Sequence, residues 1–509
     1  MKKFICVHGH FYQPPRENPW TGEVDEEPSA APFHDWNERI VKECYEANTK
    51  APVLNKKGQP AKYVNNFSKI SFDIGPTLMS WLVRKDPITY RAILDADRES
   101  VKTRGGHGNA IAQVYNHIIM PLASKRDKVT QVVWGIRDFE YHYKRKPEGM
   151  WLSETAVDRE TLEILVDHGI KFTVLAPAQA KRFRPVGFGA RWHSVHNEAI
   201  DPKHPYRVIL KGGRQFHVFF YDGPISRAIA FEGLLNSGDN LDQKLLHSFS
   251  HRQAAAQLVS TATDGESFGH HHKFGEMAVA YGLTKIETDR LATLTNYGEY
   301  LARFGSRWEV DLQENSSWSC PHGVERWRAD CGCHIHTDAK WNQKWRQHLR
   351  EAFDHLKASA DETYELQTRD LLKDPWQARN DTIDVILDPS VMMRKNFLVK
   401  HARRTLSAAE EKKVWDLLEA EKFSLFMYTS CGWFFDDISG IEPVQVMKFA
   451  LRAMELVQPY CRKELEGPFL KILSKAASNL PEHGTGADIF EKMVKPARHS
   501  SPAVAAGKR

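Results

Sequence analysis

The sequence predicts an α/β protein in which residues 1–300 form a parallel (β/α) barrel and a mainly α-helical C-terminal domain follows. Two observations predict this fold. Short apolar runs alternate with helical patterns over the first 300 residues, which is typical of repeated βαβ units. Histidines or carboxylates follow several of these runs, and the catalytic groups of a barrel lie at the C-terminal ends of its strands.

Size and composition narrow the class of protein. The chain has 509 residues, enough for about two to four domains or for a barrel with an appendage. No apolar run approaches the ~20 residues that span a bilayer, and the net charge of +5 is small for a nucleic-acid binder. We therefore expect neither a membrane nor a nucleic-acid partner, and the oligomeric state stays open.

Cysteine usage and the chain start predict a cytoplasmic location. The seven cysteines are scattered and odd in number, unlike a secreted disulfide framework. The apolar run at residues 4–7 resembles a signal peptide only briefly, because His8-Gly9-His10 ends it too early.

Residues 4–7 are the first predicted strand. His8 and His10 follow it at positions i and i+2, so their side chains should point to one side. They could be two metal ligands or two hydrogen-bonding groups at the floor of a cleft. The alternative is one satisfied core histidine and one surface histidine. We favour a site role because the apolar run leads directly into a polar, turn-forming end.

A second strand end, residues 149–154, delivers the carboxylate of Glu154, our candidate nucleophile. A helix is predicted over residues 157–171. The alternative is a helix cap, since Ser153 is a good cap residue and a Glu in the first turn favours the helix dipole. On these six residues alone the cap is the favoured interpretation.

Two further strand ends carry acids. The β-type run at residues 216–222 ends in Asp222, where a capping role is disfavoured because Gly223-Pro224 separates it from a helix predicted to start at Ser226. The strand at residues 258–262 leads into Asp264, Glu266 and His270. Several ionisable strand ends together suggest one shared cleft. His117 is a candidate cleft residue, with a core histidine an equal alternative.

A Cys/His-rich segment lies at residues 320–336. Its ligand types suit zinc, but Cys320-Pro321-His322 and Cys331-Gly332-Cys333 match no common finger, where paired cysteines are two to four residues apart. We favour reduced cysteines in a tight turn and expect no metal. Trp318, Glu325 and Trp327 suit a cleft wall, so residues 301–340 are predicted to connect the domains and reach over the site.

Helical apolar spacing predominates from residue 341, which predicts a helical domain over residues 341–497 packed on the barrel. The small, polar tail at residues 498–509 is predicted to be disordered.

The ordered motifs resemble glycoside hydrolase family 57. The segments that carry the resemblance are residues 10–14, 116–122, 150–154, 219–226 and 264–270. Two extra residues separate His10 from Gln13, and Tyr221 stands where the family often has a basic residue. Residues 314–327 and 429–437 resemble a branch of the family with an uncharacterised helical C-terminal domain.

The resemblance implies a seven-stranded (β/α) barrel and a retaining mechanism on α-glucans. It places the nucleophile on Glu154 and the acid/base on Asp222. The expected enzyme is an α-amylase, a 4-α-glucanotransferase or a branching enzyme, without a cofactor. The expected substrate-binding residues are His8, His10, Tyr12, His117, Trp151, Asp264, Glu266, His270, Trp318, His322 and Trp327.

Two other functions stay open. His8, His10, Asp264, Glu266 and His270 could bind a divalent metal in a hydrolase or deacetylase of carbohydrates. The barrel could also bind glucan without cleaving it. We favour the carboxylate pair over both. The acids at paired strand ends argue against the second alternative, because binding alone does not require them.

Overall fold

The computed structural model describes residues 2–250, 255–336, 338 and 340–499. The chain forms two compact units. The first comprises residues 1–13, 27–114 and 139–318, and the second comprises residues 14–26, 115–138 and 319–509. The predicted boundaries at residues 300 and 340 stay predictions. Of the predicted tail, residues 500–509 lie outside the described residues, and the 3₁₀ helix Lys495–His499 contains the two before them.

The strands of the described residues all belong to the first unit. They are β1 (Lys3–Phe11), β2 (Ala51–Leu54), β3 (Pro60–Val64), β4 (Ser71–Ile74), β5 (Ala112–Gln113), β6 (Met150–Trp151), β7 (Phe172–Leu175), β8 (Ala180–Pro185), β9 (His193–Ser194), β10 (Tyr206–Ile209), β11 (Gln215–Phe220), β12 (Gln257–Asp264), β13 (Thr293–Leu294) and β14 (Trp308–Leu312).

Strand β1 is the centre of one sheet. It is almost entirely buried, which explains its run of apolar residues. It pairs in parallel with β12 along its length and with β13 and β4 on its other edge. The register places His10 opposite Asp264 of β12 and opposite Asp73 of β4. Three ionisable residues therefore lie side by side across this sheet.

The remaining parallel pairs are short. Strand β5 pairs with β6 and β7 pairs with β11, both in parallel. Single parallel bridges join Phe72 to Ala110 and Gly149 to Phe172. Strands β10, β14, β8 and β9 extend the β7–β11 sheet and include three antiparallel pairs. The α/β fold is confirmed, whereas the hydrogen-bonded sheets do not confirm the predicted count of seven barrel strands.

Helices separate most of the parallel strands. Those before the second unit's bundle are α1 (Trp36–Ile40), α2 (Glu46–Thr49), α3 (Pro76–Lys85), α4 (Pro87–Thr103), α5 (Lys125–Tyr143), α6 (Arg159–Asp167), α7 (Gly223–Phe231), α8 (Gly238–His247), α9 (Gly275–Thr288) and α10 (Tyr297–Phe304). Residues 125–138 of α5 belong to the second unit.

Two predicted helix starts differ from the structure. Helix α6 begins at Arg159 because the side chain of Asp158 accepts a hydrogen bond from the Thr161 amide and caps it. Helix α7 begins at Gly223 and not at Ser226, since Pro224 fits the first turn of a helix.

The C-terminal region of the second unit is helical, as predicted. Its remaining helices are α11 (Trp345–Thr368), α12 (Pro375–Asp381), α13 (Ile383–Leu387), α14 (Val391–His401), α15 (Ala408–Phe426), α16 (Cys431–Phe434), α17 (Ile441–Val457), α18 (Glu466–Leu473) and α19 (Gly486–Ile489).

A buried ion network joins several of these helices. Arg379 of α12 lies 2.8 Å from Asp127 and 2.9 Å from Glu421, and Lys357 of α11 lies 3.4 Å from Glu421. Although burial alone would raise the pKa of Asp127, the Lys357 and Arg379 cations lower it to about 2. Asp361 also pairs with Lys357, so two cations face three carboxylates, and the attraction between opposite charges offsets the cost of burying them.

A hydrophobic cluster fills the space between the strands of the first unit. Its buried members are Ile111, just before β5, and residues of β1, β6, β7, β11, β12 and helix α10. Half-buried Tyr221 and Trp318 pack against it. No helix among the described residues combines the length and apolarity needed to cross a bilayer.

Candidate active site

His8, His10 and Asp73 form a hydrogen-bonded group in the site. His8 and His10 project to the same side of β1, as predicted, because side chains alternate along a strand. His8 Nε2 lies 3.1 Å from Asp73 Oδ1, and His10 Nδ1 lies 2.7 Å from Asp73 Oδ2. His8 Nδ1 lies 3.0 Å from Ser71 Oγ. Asp73 therefore fixes the orientation of both imidazoles.

Burial and the neighbouring charges together set the pKa values of these three residues. Burial alone would raise the pKa of Asp73, but the adjoining His10 and His8 lower it. Burial opposes the charge of His10, yet Asp73, Asp264 and Glu266 together raise its pKa. Burial lowers the pKa of His8. The group is best described as a His10–Asp73 ion pair with a neutral His8 beside it.

Aromatic rings pack against both imidazoles. The Trp151 ring stacks on His8, with ring centroids 5.0 Å apart, and on His10, with ring centroids 4.9 Å apart. Trp151 is fully buried, so it supports the histidines and offers no face to solvent. Tyr12 also stacks on His10, with ring centroids 5.7 Å apart. Tyr12 and Trp318 are both half-buried, so these two rings are better candidates than Trp151 for stacking on a sugar.

Glu154 lies in a strained turn directly after β6. Its φ is +56° and that of Thr155 is +52°, a region that costs a residue with a side chain about 1–3 kcal/mol. Trp318 holds the turn twice: its indole Nε1 donates to Glu154 Oε2 at 2.9 Å, and its amide donates to the Glu154 carbonyl at 3.0 Å.

The capping interpretation of this turn is wrong. Asp158 caps α6, so neither Ser153 nor Glu154 does. The Ser153 hydroxyl is buried and has no hydrogen-bond partner among the described residues. Glu154 is half-buried, and its carboxylate binds the Trp318 indole. This leaves a positioned carboxylate at a strand end, which is the arrangement that the nucleophile hypothesis requires.

Asp222 follows β11 and has two roles in the local structure. Its Oδ1 accepts a hydrogen bond of 3.0 Å from the Ile225 amide and caps α7, contrary to the sequence prediction. Its own amide donates to the Ser260 carbonyl of β12 at 2.7 Å. The Tyr221 ring lies edge-on to Trp318, with centroids 6.3 Å apart. Trp318 thus contacts both Glu154 and the neighbour of Asp222.

The two acids at and just after the end of β12, Asp264 and Glu266, both have raised pKa values. Glu266 is buried, and its Oε1 accepts from Tyr45 at 3.1 Å and from Gln13 at 3.4 Å. Burial and the charge of Asp264 raise the pKa of Glu266 to about 7. Asp264 keeps an exposed side chain, but the protein around it excludes enough water to raise its pKa. Both acids also act on the charge of His10.

Four other predicted site residues have the following surroundings, and their role in binding stays a prediction. His270 pairs with Glu43 at 2.5 Å. His117, in the second unit, is buried with Nδ1 2.6 Å from Ser430 Oγ. His322 lies beside Cys333, with Nδ1 3.6 Å from its Sγ. Trp327 is fully buried, so its ring has no face open to a ligand.

Two carboxylates near the site were missed. Asp73 had a signal, because it too lies near the end of a buried strand. Glu198 had none, since it lies in an irregular loop where it and Asn197 both have positive φ. Its Oε2 lies 3.7 Å from the point where a Cβ on Gly223 would be, and its charge contributes to the raised pKa of Tyr221, after burial.

The alternative metal site is not assembled by these residues. Among the described residues, one group of three or more His, Cys, Asp or Glu side chains has its ligand atoms within reach of a single ion, and it contains none of the five predicted ligands. His8 and His10 instead face Asp73, and His270 faces Glu43.

Comparisons with known proteins agree with the motifs. Residues 34–313 match the family described as glycosyl hydrolase family 57, and residues 341–508 match one described as a domain of unknown function, DUF3536. No curated protein matches the sequence.

Solved structures share the fold at low identity. An exo-type maltose-forming amylase from Pyrococcus sp. ST04 is 16% identical with a TM-score of 0.67, over 93% of this chain and 83% of that one. A branching enzyme from Thermococcus kodakaraensis is 14% identical with a TM-score of 0.54, over 98% and 96%. A 4-alpha-glucanotransferase from Thermococcus litoralis is 18% identical with a TM-score of 0.51, over 91% and 59%.

Proposed function

Because the chain belongs to glycosyl hydrolase family 57, we propose that it is a retaining enzyme acting on α-glucans, with Glu154 as nucleophile and Asp222 as acid/base. The printed names of the structural neighbours support the substrate class, since they describe an amylase, a glucanotransferase and a branching enzyme. These three reactions share a glycosyl-enzyme intermediate and differ in the acceptor that attacks it.

The barrel that this function needs is a ring of seven parallel strands: β1, β4, β5, β6, β7, β11 and β12. Two single bridges, Phe72 to Ala110 and Gly149 to Phe172, support the links between the shorter pairs. The hydrogen bond from the Asp222 amide to the Ser260 carbonyl supports the link from β11 to β12. In such a ring Glu154 and Asp222 follow strands and His10 lies near the end of β1, so all three are at the same carboxyl edge, where barrel enzymes bind their substrates.

The contact of Trp318 with Glu154 is the observation that carries the proposal. The indole fixes one carboxylate oxygen and the backbone fixes the turn, so the other oxygen is oriented before substrate arrives. Strained backbone persists only where its surroundings hold it, and it concentrates at functional sites. A capping or surface Glu would need neither the strain nor the indole.

The mechanism has two steps: Asp222 donates a proton in the first and accepts one in the second. Protonated Asp222 donates its proton to the glycosidic oxygen while ionised Glu154 attacks the anomeric carbon, which breaks the glycosidic bond and forms an ester. Asp222 then takes a proton from water or a sugar hydroxyl, whose oxygen displaces Glu154. A retaining enzyme needs the two carboxyl groups about 5–5.5 Å apart.

The surrounding groups orient the sugar in this proposal. The positive charge that Asp73 stabilises on His10 strengthens hydrogen bonds to sugar hydroxyls. Tyr12 and Trp318 provide ring faces, and Asp264 and Glu266 accept from hydroxyls or support the charge of His10.

The test is product analysis with matched variants. The chain is incubated with amylose, maltooligosaccharides and glycogen, and products are scored for shortening, disproportionation and new branches. Glu154→Gln should lower kcat by at least about 10³-fold, and Asp222→Asn by about 10²- to 10⁴-fold. Glu232→Gln, an exposed carboxylate at the end of α7, is the control and should keep wild-type turnover.

Two outcomes would contradict the proposal. Unchanged turnover in Glu154→Gln and Asp222→Asn would assign the chemistry to other groups. Measurable glucan affinity, with no change in chain length, reducing ends or branching in the wild type, would favour a non-catalytic glucan-binding protein.

A further inference from the structure

Three thiols and one imidazole converge in the segment between β14 and α11. The ligand atoms of Cys320, His322, Cys331 and Cys333 all lie within 4.8 Å of one another. Cys320 Sγ lies 4.0 Å from Cys331 Sγ and 3.7 Å from Cys333 Sγ, and Cys333 Sγ lies 3.6 Å from His322 Nδ1. All four residues belong to the second unit.

The three measured separations are close to the edges of a zinc tetrahedron. With Zn–S bonds of about 2.3 Å and Zn–N bonds of about 2.0–2.1 Å, ideal geometry places two sulfurs about 3.8 Å apart and a sulfur and a nitrogen about 3.6 Å apart. We propose that Cys320, His322, Cys331 and Cys333 bind one structural Zn²⁺, with His322 coordinating through Nδ1.

The backbone explains how such short spacings reach one ion. Gly332, between two of the cysteines, has a φ of +78°, a conformation that glycine adopts without strain. It reverses the chain so that Cys331 and Cys333 lie on one side. Gly323, with a φ of +88°, closes a turn by donating its amide to the Cys320 carbonyl at 3.0 Å, which brings His322 toward Cys320. Common zinc fingers have more residues between their paired ligands. The sequence spacing alone therefore predicted no metal here.

Outer contacts hold this loop in place. The buried Arg346 guanidinium donates to the Cys333 carbonyl at 2.8 Å, and the Asp436 carboxylate accepts from the amides of Ile335 and His336. Metal sites characteristically have such supporting hydrogen bonds around their ligands.

Four protein ligands leave no open coordination position, which is typical of a structural zinc and not of a catalytic one. A disulfide explains the cluster less well, since it would use two sulfurs at about 2.05 Å and leave a thiol and His322 without a role. The site is independent of the proposed glucan chemistry, because none of its ligands takes part in that mechanism.

The first test uses the wild-type chain. After purification under reducing conditions, elemental analysis should find about one zinc per chain. X-ray absorption at the zinc edge should show three sulfurs at about 2.3 Å and one nitrogen at about 2.0–2.1 Å. Metal far below one equivalent after zinc supplementation, or a shell of nitrogen and oxygen alone, would overturn the proposal.

Variants identify the ligands. Cys331→Ser combined with Cys333→Ser should abolish stoichiometric zinc, whereas Cys461→Ser, a half-exposed cysteine outside the cluster, should retain it. His322→Ala should bind zinc at least about tenfold more weakly than His336→Ala, whose ring stacks on Trp341 instead. Full zinc in the double variant, or a Cys320–Cys331 or Cys320–Cys333 disulfide in unreduced peptide maps, would contradict the site. If the double variant is insoluble, the wild-type absorption spectrum decides.

Discussion

At the residue scale, the candidate site combines carboxylates in unlike surroundings. Asp73 is buried between two imidazoles, and their hydrogen bonds keep it ionised. Glu266 is equally buried but faces a phenol, an amide and another acid, so its pKa rises to about 7. Which acid holds a proton at neutral pH is therefore decided by its partners and not by burial alone.

The raised pKa of Glu266 predicts a pH-dependent stability. The folded chain holds a proton on Glu266 up to about pH 7, whereas the unfolded chain releases it near the usual 4.5. Wild-type stability should therefore fall as pH rises between these values and level off above about pH 7, by up to about 3 kcal/mol. Gln at this position cannot ionise, and its Oε1 can still accept from Tyr45 and Gln13.

Thermal melting of wild type and Glu266→Gln at several pH values tests this. The melting temperature of the variant relative to wild type should rise from about pH 5 to about pH 8. Glu232→Gln should run parallel to wild type. A gap that does not change with pH would show that Glu266 is ionised in the folded chain.

Single residues also show the limits of sequence analysis. The shared side of His8 and His10 follows from the period of a strand and was predictable. The Asp73 link depends on the β1–β4 register, which no local pattern records. Trp318 reaches Glu154 across 164 positions, so the sequence could place it only near the cleft.

At the element scale, one residue joins two strands and a helix. Asp222 follows β11, bonds to β12 through its amide and caps α7 through Oδ1. A capping role and a catalytic role use different properties of the carboxyl group. The cap needs only an accepting oxygen, whereas acid/base catalysis needs a proton that can be exchanged.

Two substitutions separate these roles. Asp222→Asn should keep the cap and the wild-type unfolding free energy, because Asn caps as well as Asp, while losing turnover. Asp222→Ala should lose turnover and also about 1 kcal/mol of stability. Urea unfolding followed by circular dichroism, alongside glucan turnover, measures both. Equal destabilisation by Asn and Ala, or wild-type turnover in Asp222→Asn, would contradict the two-role account.

Elements were predictable where periodicity was strong. The buried strands β1, β7, β11 and β12 and the long helices of the second unit follow from apolar spacing. Strands β8, β9, β10 and β14 were not predicted, because they are largely exposed or carry charged residues and lack a continuous apolar run. The observed helix starts differ from the predicted ones because a single capping residue, such as Asp158, outweighs the apolar pattern beside it.

At the scale of the whole molecule, ordered motifs were more informative than any local pattern. Five short segments led to the family that residues 34–313 match, and the shared fold extends over most of the chain at under 20% identity. The four zinc-ligand candidates show the opposite case. Their residue types suited zinc, but only the folded chain shows that the four ligand atoms lie within 4.8 Å of one another.

The most direct test of the central claim is to trap the glycosyl-enzyme intermediate and locate it by peptide mass spectrometry. A maltosyl fluoride with a second, ring-bound fluorine forms the ester and slows its breakdown. One adduct per chain should appear on the peptide containing Glu154 and be absent from Glu154→Gln. An adduct on another carboxylate such as Asp264 or Glu198, labelling that persists in Glu154→Gln, or no adduct in a preparation that turns over glucan would contradict the account.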